Sequence, residues 1–228
     1  RAATSKSGSA DVLSALGVNV SASRETSEKC LNEIGICFMF APLYHASTAR
    51  VAAVRRELGV HTTFNLLGPM TNPANAPFQI MGVWHKDLVA PIAETLYALG
   101  TKRALVVHGL DGLDEITVSD KTSVAEITPG YIKFYEVSPT DFGFQTVENI
   151  ENLRGGDANQ NAQIIKDVLE NKRKDAARTL VLINAAAAIF IGGKAESLIE
   201  AARLAAESLE SGKALEKLKD LIEKTAEI

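Results

Sequence analysis

Residues 78–108 alternate between apolar runs and a helical pattern. Phe78–Trp84 and Arg103–His108 are short and apolar, which is typical of buried strands, whereas Leu88–Leu99 between them repeats its apolar residues at helical spacing. A strand, a helix and a second strand in this order favour a parallel βαβ unit. With a further apolar run at Ile36–Phe40, the pattern predicts an α/β fold with a mostly parallel central sheet flanked by helices.

The remaining segments add other kinds of element to this fold. Ser123–Ile127 and Tyr131–Val137 are short β-type runs, which predict an antiparallel addition to the sheet. His45–Leu58 has helical spacing, and from Asn159 onward the pattern is helical almost throughout. Phe64–Pro77 is rich in Gly, Pro and Asn, which predicts an ordered loop.

Charge and apolar run length disfavour two classes of partner. The 228 residues include 24 Lys and Arg against 28 Asp and Glu, and a net charge of −4 disfavours a nucleic-acid partner. The longest apolar stretch, Ala185–Ile191, is far shorter than the ~20 residues that span a bilayer, so no membrane segment is expected. Cys30 and Cys37 match no disulfide framework or common zinc signature, which favours buried thiols in a reducing compartment and a cytoplasmic location.

A group of carboxylates follows the predicted strand Arg103–His108. Asp111, Asp114 and Glu115 lie close together in a turn that also contains glycine. In open α/β sheets, ligands bind at the carboxyl ends of strands, and carboxylate oxygens suit Mg²⁺ or a magnesium–phosphate complex. The alternative is an acidic surface turn, which is the commoner explanation for such a short motif on its own.

Three other features have both a binding and a structural explanation. The hydroxyls, the cation and the backbone N–H groups of Thr4–Ser9 suit an anion, although Ser9 could also simply N-cap the following helix. Arg55 lies near the end of a predicted helix, where it could interact with the helix dipole. Asn184, in an Ala-rich helix, is predicted to be a buried amide with its hydrogen bonds satisfied. No Ser–His–Asp order, Cys–His pair or HExxH motif supports hydrolase chemistry.

Three motifs, in the same order along the chain, resemble a single family. Residues 1–17, which contain Arg1-Ala-Ala-Thr-Ser and Gly8-Ser-Ala-Asp-Val-Leu, are similar to the segment KHGNRAxSSxxGSADxLEALG. Residues 64–73 resemble FNxLGPLxNP, and residues 111–115 resemble DGxDE. This is the pattern of the anthranilate phosphoribosyltransferases, and the resemblance extends from residue 1 to the C-terminal helices.

The resemblance implies a two-domain enzyme of the nucleoside phosphorylase/phosphoribosyltransferase class, with its active site in a hinge cleft. Residues 1–42 and 66–228 would form the large α/β domain, and residues 43–65 would belong to a small helical domain. The implied reaction transfers phosphoribose from phosphoribosyl pyrophosphate (PRPP) to the amine of anthranilate and releases pyrophosphate, a step of tryptophan biosynthesis. Mg²⁺ is the implied cofactor, and a homodimer is the implied assembly.

The functional residues of the family carry over where its motifs match. No catalytic base is expected, since the anthranilate amine is already a nucleophile. The resemblance implies Mg²⁺ ligands at Asp114 and Glu115. It implies PRPP contacts at Arg1, Thr4, Ser5 and Ser9. It implies anthranilate contacts at Arg55, His45, Gly68 and Pro69.

Parts of the family pattern have no counterpart in this sequence, namely the GTGGD pyrophosphate loop, the NxS metal-contacting segment and the Lys-His-Gly-Asn before Arg1. A chain that begins at Arg1 is therefore expected to be inactive by itself, and it cannot build a second metal site alone. Two alternatives remain. The acidic pair disfavours a nucleoside phosphorylase of the same fold, because phosphorolysis needs no such magnesium ligands. The net charge disfavours a non-catalytic relative that binds nucleic acid.

Overall fold

The computed structural model describes residues 7–45, 57, 62–148, 150 and 153–226. The chain divides into two compact units, each assembled from separate stretches of sequence. The first unit comprises Arg1–Pro73, Gly155–Lys172 and Ser211–Ile228, and the second comprises Ala74–Arg154 and Arg173–Glu210.

The described residues form both helices and strands, joined by short turns. The helices are α1 (Ser9–Ala15), α2 (Arg24–Ile34), α3 (Ala41–Tyr44), α4 (Phe64–Met70), α5 (Val89–Ala98), α6 (Ala158–Leu169), α7 (Ala176–Ile191), α8 (Leu198–Glu210) and α9 (Lys213–Ala226). The strands are β1 (Phe78–Gly82), β2 (Arg103–Gly109), β3 (Thr122–Thr128) and β4 (Tyr131–Val137). Single 3₁₀ turns cover Lys86–Leu88 and Pro139–Phe142.

The second unit contains a sheet of four strands in the order β1-β2-β3-β4. Strands β1 and β2 are parallel and joined by α5, which confirms the predicted βαβ unit. Strands β3 and β4 are antiparallel to their neighbours, as expected for the two β-type runs. The α/β class with flanking helices is thus confirmed, but the described sheet is mixed rather than mostly parallel. The short connection between β3 and β4 explains their antiparallel pairing, because strands joined by a two-residue turn can pair only in opposite directions.

Strand β2 lies at the centre of the second unit. Residues 104–109 are all buried, so both faces of this strand are covered. On one face Leu105 and Val107 pack with Ile183 and Ala187 of α7, and helix α5 packs against β2 and β3. Because β2 is buried on both faces, it reads as a continuous apolar run in the sequence.

The first unit is a helical assembly around two small apolar clusters. In one, Val12 and Leu16 of α1 pack with Ala162 of α6. In the other, Cys30 of α2 packs with Leu221 of α9. Both clusters join segments far apart in sequence, which is why the C-terminal helix belongs to the same unit as α1 and α2. No helix in the described part of the chain is long and apolar enough to cross a membrane.

Two elements differ from the sequence prediction. Ile36–Phe40 is not a strand: none of the strands in the described part of the chain pairs with it, Ile36 is exposed, and the other four residues are half-buried. Residues 64–70, predicted as a loop, form helix α4, which contains both Gly68 and Pro69; just before it, the backbone N–H of Thr62 donates a hydrogen bond to the Asn65 side chain at 3.1 Å. Most of the predicted helix His45–Leu58 lies outside the described residues.

The packing of α7 on the sheet generates a stability prediction. Ile183 is fully buried, whereas Val181 on the same helix is 43% exposed. Ile183→Ala should lower the free energy of unfolding by about 2–5 kcal/mol, because it leaves a cavity in the core. Val181→Ala should change it by no more than about 0.5 kcal/mol. Urea unfolding of both variants checks this, and equal losses would contradict the assigned core.

Candidate active site

The acidic turn directly follows the buried end of β2. The backbone N–H of Gly109 donates to the carbonyl of Leu113 at 2.8 Å, and the N–H of Leu110 donates to the carbonyl of Lys121 at 2.8 Å. Gly112 has a φ of +97°, in the left-handed region that glycine adopts without strain. The turn is therefore closed by its own backbone and tied to the start of β3.

Asp111 faces into this turn and is used to hold it. Its carboxylate accepts hydrogen bonds from the backbone N–H of Leu113 at 3.2 Å, from the hydroxyl of Ser119 at 2.5 Å and from the hydroxyl of Thr117. Burial by itself would raise the pKa of Asp111, but the bonds from Ser119 and Thr117 outweigh it and hold the pKa below the ordinary aspartate value. This carboxylate is occupied by the protein itself.

Asp114 and Glu115 have the opposite environment, because both residues are solvent-exposed. Desolvation of its own carboxyl group, followed by the neighbouring charge of Asp114, raises the pKa of Glu115, although the residue as a whole is exposed. A bound cation would stabilise the ionised form of Glu115 beside a second carboxylate. Of the three acidic residues in the turn, these two are placed for a ligand.

The donor set fits Mg²⁺ that is shared with a phosphorylated substrate. Among the described residues, no group of three or more His, Cys, Asp and Glu side chains could enclose a metal ion. Mg²⁺ commonly uses one or two carboxylates together with water and substrate phosphates. Asp114 and Glu115 match that pattern, and they do not match an all-protein cage.

The backbone on either side of the acidic pair is also held. The side chain of Asn184 in α7 bonds the backbone of Ile116, the residue after Glu115. The amide is thus satisfied, as predicted, but its link to the acidic turn is something the sequence did not reveal. On the other side, a Cβ at Gly82 would overlap the carbonyl oxygen of Asp114, so only glycine allows the end of β1 to approach the turn this closely.

The first unit contains the described residues predicted to contact PRPP. Ser9 is the exposed first residue of α1. The sequence suggested Ser9 as the N-cap, but the N-cap is Gly8, whose backbone N–H donates to the Asp11 carboxylate at 3.1 Å. Asn161 of α6 holds the preceding segment, donating to the Ser7 hydroxyl at 2.9 Å. Arg1, Thr4 and Ser5 lie outside the described residues.

The residues predicted to contact anthranilate also belong to the first unit. His45 is half-buried and follows α3, where its backbone N–H donates to the carbonyl of Ala41 at 2.9 Å. Gly68 and Pro69 share helix α4, with Gly68 half-buried and Pro69 exposed. Arg55 lies outside the described residues, so its assignment stays a prediction.

Comparison with known proteins relates this architecture to one enzyme family. The family model described as "Glycosyl transferase family, a/b domain" matches residues 1–215. Anthranilate phosphoribosyltransferase from Methanobrevibacter smithii is 49% identical over 225 residues, covering 99% of this chain and 67% of its own length. The chain belongs to the anthranilate phosphoribosyltransferase family.

Solved structures of the family agree with the fold. The crystal structure of anthranilate phosphoribosyltransferase from Thermus thermophilus superimposes with a TM-score of 0.91 at 39% identity, covering 99% of this chain and 67% of that one. The enzyme from Saccharomyces cerevisiae in complex with PRPP and Mg superimposes with a TM-score of 0.89 at 28% identity, covering 100% of this chain and 64% of that one. The chain thus spans about two thirds of the length of these family members.

The environment of Asp111 predicts a pH dependence of stability. Because its pKa is lowered in the folded protein, the stabilisation by Asp111 is present above the ordinary aspartate pKa and is lost as the pH falls through the lowered value. Asp111→Asn should therefore destabilise the protein at pH 7, and its difference from the wild type should narrow as the pH approaches about 3. Urea unfolding across this range measures it, with the exposed Asp120→Asn as control. A difference independent of pH would show that the charge of Asp111 is not what holds the turn.

Proposed function

We propose that this protein transfers the phosphoribosyl group of PRPP to the amine of anthranilate and releases pyrophosphate, the reaction that serves tryptophan biosynthesis. The observation that carries the proposal is the exposed pair Asp114 and Glu115 on a fixed turn, in a chain of this family. A family member bound to PRPP and Mg supports the same substrate and the same ion.

Asp114 and Glu115 would hold Mg²⁺ together with the diphosphate of PRPP. Mg²⁺ bound there would supply positive charge that offsets the negative charge growing on the pyrophosphate as it leaves. The turn itself need not move to accept the ion, because Asp111 and the backbone bonds already fix it. No protein base is required, since the acceptor amine is a nucleophile before it binds.

The remaining PRPP contacts are proposed in the segment that leads into α1. The family motif assigns them to Arg1, Thr4, Ser5 and Ser9. The exposure of Ser9 supports its part in this, because a hydroxyl must be accessible to bond a phosphate or ribose oxygen. Ser7, in the same segment, accepts a hydrogen bond from the side chain of Asn161, which fixes its position.

The acceptor contacts are proposed at Arg55, His45, Gly68 and Pro69. A guanidinium offers a planar pair of donors that matches the carboxylate of anthranilate, whereas the ring would lie against uncharged surface. The partial exposure of His45 and the exposure of Pro69 are compatible with contact to a ligand.

Domain organisation, assembly and location also remain proposals. We propose that residues 43–65 belong to a small helical domain, that residues 1–42 and 66–228 form the large one, and that the protein is a homodimer, on the resemblance to the family. A cytoplasmic location is supported by Cys30 and Cys37, which both carry thiols rather than a disulfide.

The Mg²⁺ assignment predicts the effect of removing both charges. The double variant with Asp114→Asn and Glu115→Gln should bind Mg²⁺ with PRPP at least about a hundred-fold more weakly, since each charge-assisted contact contributes about 1.5–3 kcal/mol. Its unfolding free energy should change little, because both residues are exposed. Steady-state rates of the full-length protein with Mg²⁺ varied measure this, and Asp120→Asn is the matched control.

Two results would contradict these proposals. An unaltered magnesium dependence in the double variant would remove Asp114 and Glu115 from the metal site. Turnover of thymidine with phosphate, and none of anthranilate with PRPP, would replace the proposed reaction by nucleoside phosphorolysis.

Replacing Arg55 distinguishes two roles for this residue, a contact to the anthranilate carboxylate and an interaction with the helix dipole. In the full-length protein, Arg55→Ala should raise the KM for anthranilate roughly ten- to hundred-fold, the equivalent of a charge-assisted bond of about 1.5–3 kcal/mol, and leave the KM for PRPP nearly unchanged. Arg55→Lys should restore little, because an ammonium group lacks the planar fork. Arg56→Ala is the control. A fall in melting temperature with unaltered anthranilate affinity would instead assign Arg55 to the helix dipole.

A further inference from the structure

A side chain from α7 holds the backbone immediately after the acidic pair. The Asn184 carboxamide oxygen accepts from the N–H of Ile116 at 3.0 Å, and its NH₂ group donates to the carbonyl of the same residue at 3.0 Å. The NH₂ group also donates to the carbonyl of Leu180, one turn earlier in α7, at 3.0 Å. The side chain is therefore fixed at its own helix while it binds the turn.

This pairing needs an amide. Bonding both the N–H and the carbonyl of one residue requires an acceptor and a donor side by side, as one strand offers another in an antiparallel pair. An ionised carboxylate could accept from Ile116 but would repel its carbonyl, and an aliphatic side chain would leave both groups unpaired. Ile116 is 1% exposed, so water cannot readily replace the lost partner.

The bonds constrain the backbone that carries the acidic pair. Asp111 fixes the turn before Asp114 through Leu113, and the Asn184 bonds fix it after Glu115. The close approach of Gly82 to the carbonyl of Asp114 leaves the backbone between these anchors little room to shift. With both ends held, the two carboxylates point from a fixed stretch of backbone.

We propose that Asn184 is a positioning residue for the Mg²⁺ ligands Asp114 and Glu115, acting through the backbone of Ile116. This inference rests on the proposed function, because it takes the acidic pair as the magnesium site. Among the described residues, Asn184 hydrogen-bonds only protein backbone, so its effect is on the placement of the ligands and not on the reacting atoms. Partners that orient metal ligands in this way commonly change metal affinity about 10–100-fold when they are replaced.

The test compares three variants of the full-length protein. Asn184→Leu removes both bonds at similar size, Asn184→Asp keeps only the acceptor, and Ile183→Val trims the adjacent, fully buried core residue while leaving the Asn184 hydrogen bonds in place. Isothermal titration calorimetry measures Mg²⁺ binding in the presence of PRPP, and hydrogen exchange of the Ile116 amide in the metal-free protein reports the bond directly. Melting temperatures and the KM for anthranilate complete the comparison.

We expect Asn184→Leu to weaken Mg²⁺ binding at least about ten-fold and to speed exchange at Ile116, with the KM for anthranilate unchanged. Asn184→Asp should also bind Mg²⁺ more weakly than the wild type, and Ile183→Val should lower the melting temperature alone. Unaltered Mg²⁺ binding in Asn184→Leu would overturn the inference and leave Asn184 a purely structural link. If the wild type binds Mg²⁺ with PRPP but does not use anthranilate, the proposed reaction fails, while the binding comparison still decides the role of Asn184. A wild type that does not bind Mg²⁺ would overturn both.

Discussion

Where the chain continues beyond the buried end of β2, its backbone N–H and carbonyl groups need hydrogen-bond partners. Each buried group left unpaired would lower the stability of the fold by about 1–3 kcal/mol. The chain meets this need locally at Gly109 and Leu110, through the carboxylate of Asp111, and at Ile116 through the amide of Asn184. These hydrogen bonds give the acidic turn its shape. The shape therefore does not depend on a bound ligand.

A turn held in this way can present ligands without rearranging. The carboxylate of Asp111 accepts hydrogen bonds from the turn itself and is therefore not free to bind a metal ion. Asp114 and Glu115 are exposed on the same turn. Carboxylates carried on a fixed stretch of backbone require less ordering when a cation binds, which would favour the proposed binding of Mg²⁺. Support of the turn and the proposed metal binding are thus divided among three acidic residues of one short motif.

The elements that sequence patterns predicted well carry a strong local signal. Strand β2 is buried along almost its whole length and α5 is amphipathic, so both show clear apolar patterns. The β3–β4 pair was predicted from its short β-type runs, although most of β4 is exposed. Ile36–Phe40 shows that an apolar run does not make a strand unless a partner strand lies beside it. Helix α4 was missed because Gly68 and Pro69 suggest a loop, although both residues lie within the helix.

By itself the sequence determined the α/β class, the position of the acidic turn at the end of a buried strand, and the family through three motifs in register. The resemblance to the family singled out Asp114 and Glu115 as metal ligands, but the residue pattern alone could not distinguish them from Asp111, because three carboxylates in one turn are equivalent until their neighbours are known. The tertiary structure made that separation, through the hydroxyls of Thr117 and Ser119 that bind Asp111. It also decided that Asn184, 68 residues beyond Ile116, holds the far side of the turn. A contact over that distance arises only when α7 packs on the sheet, and no local pattern in the sequence encodes it.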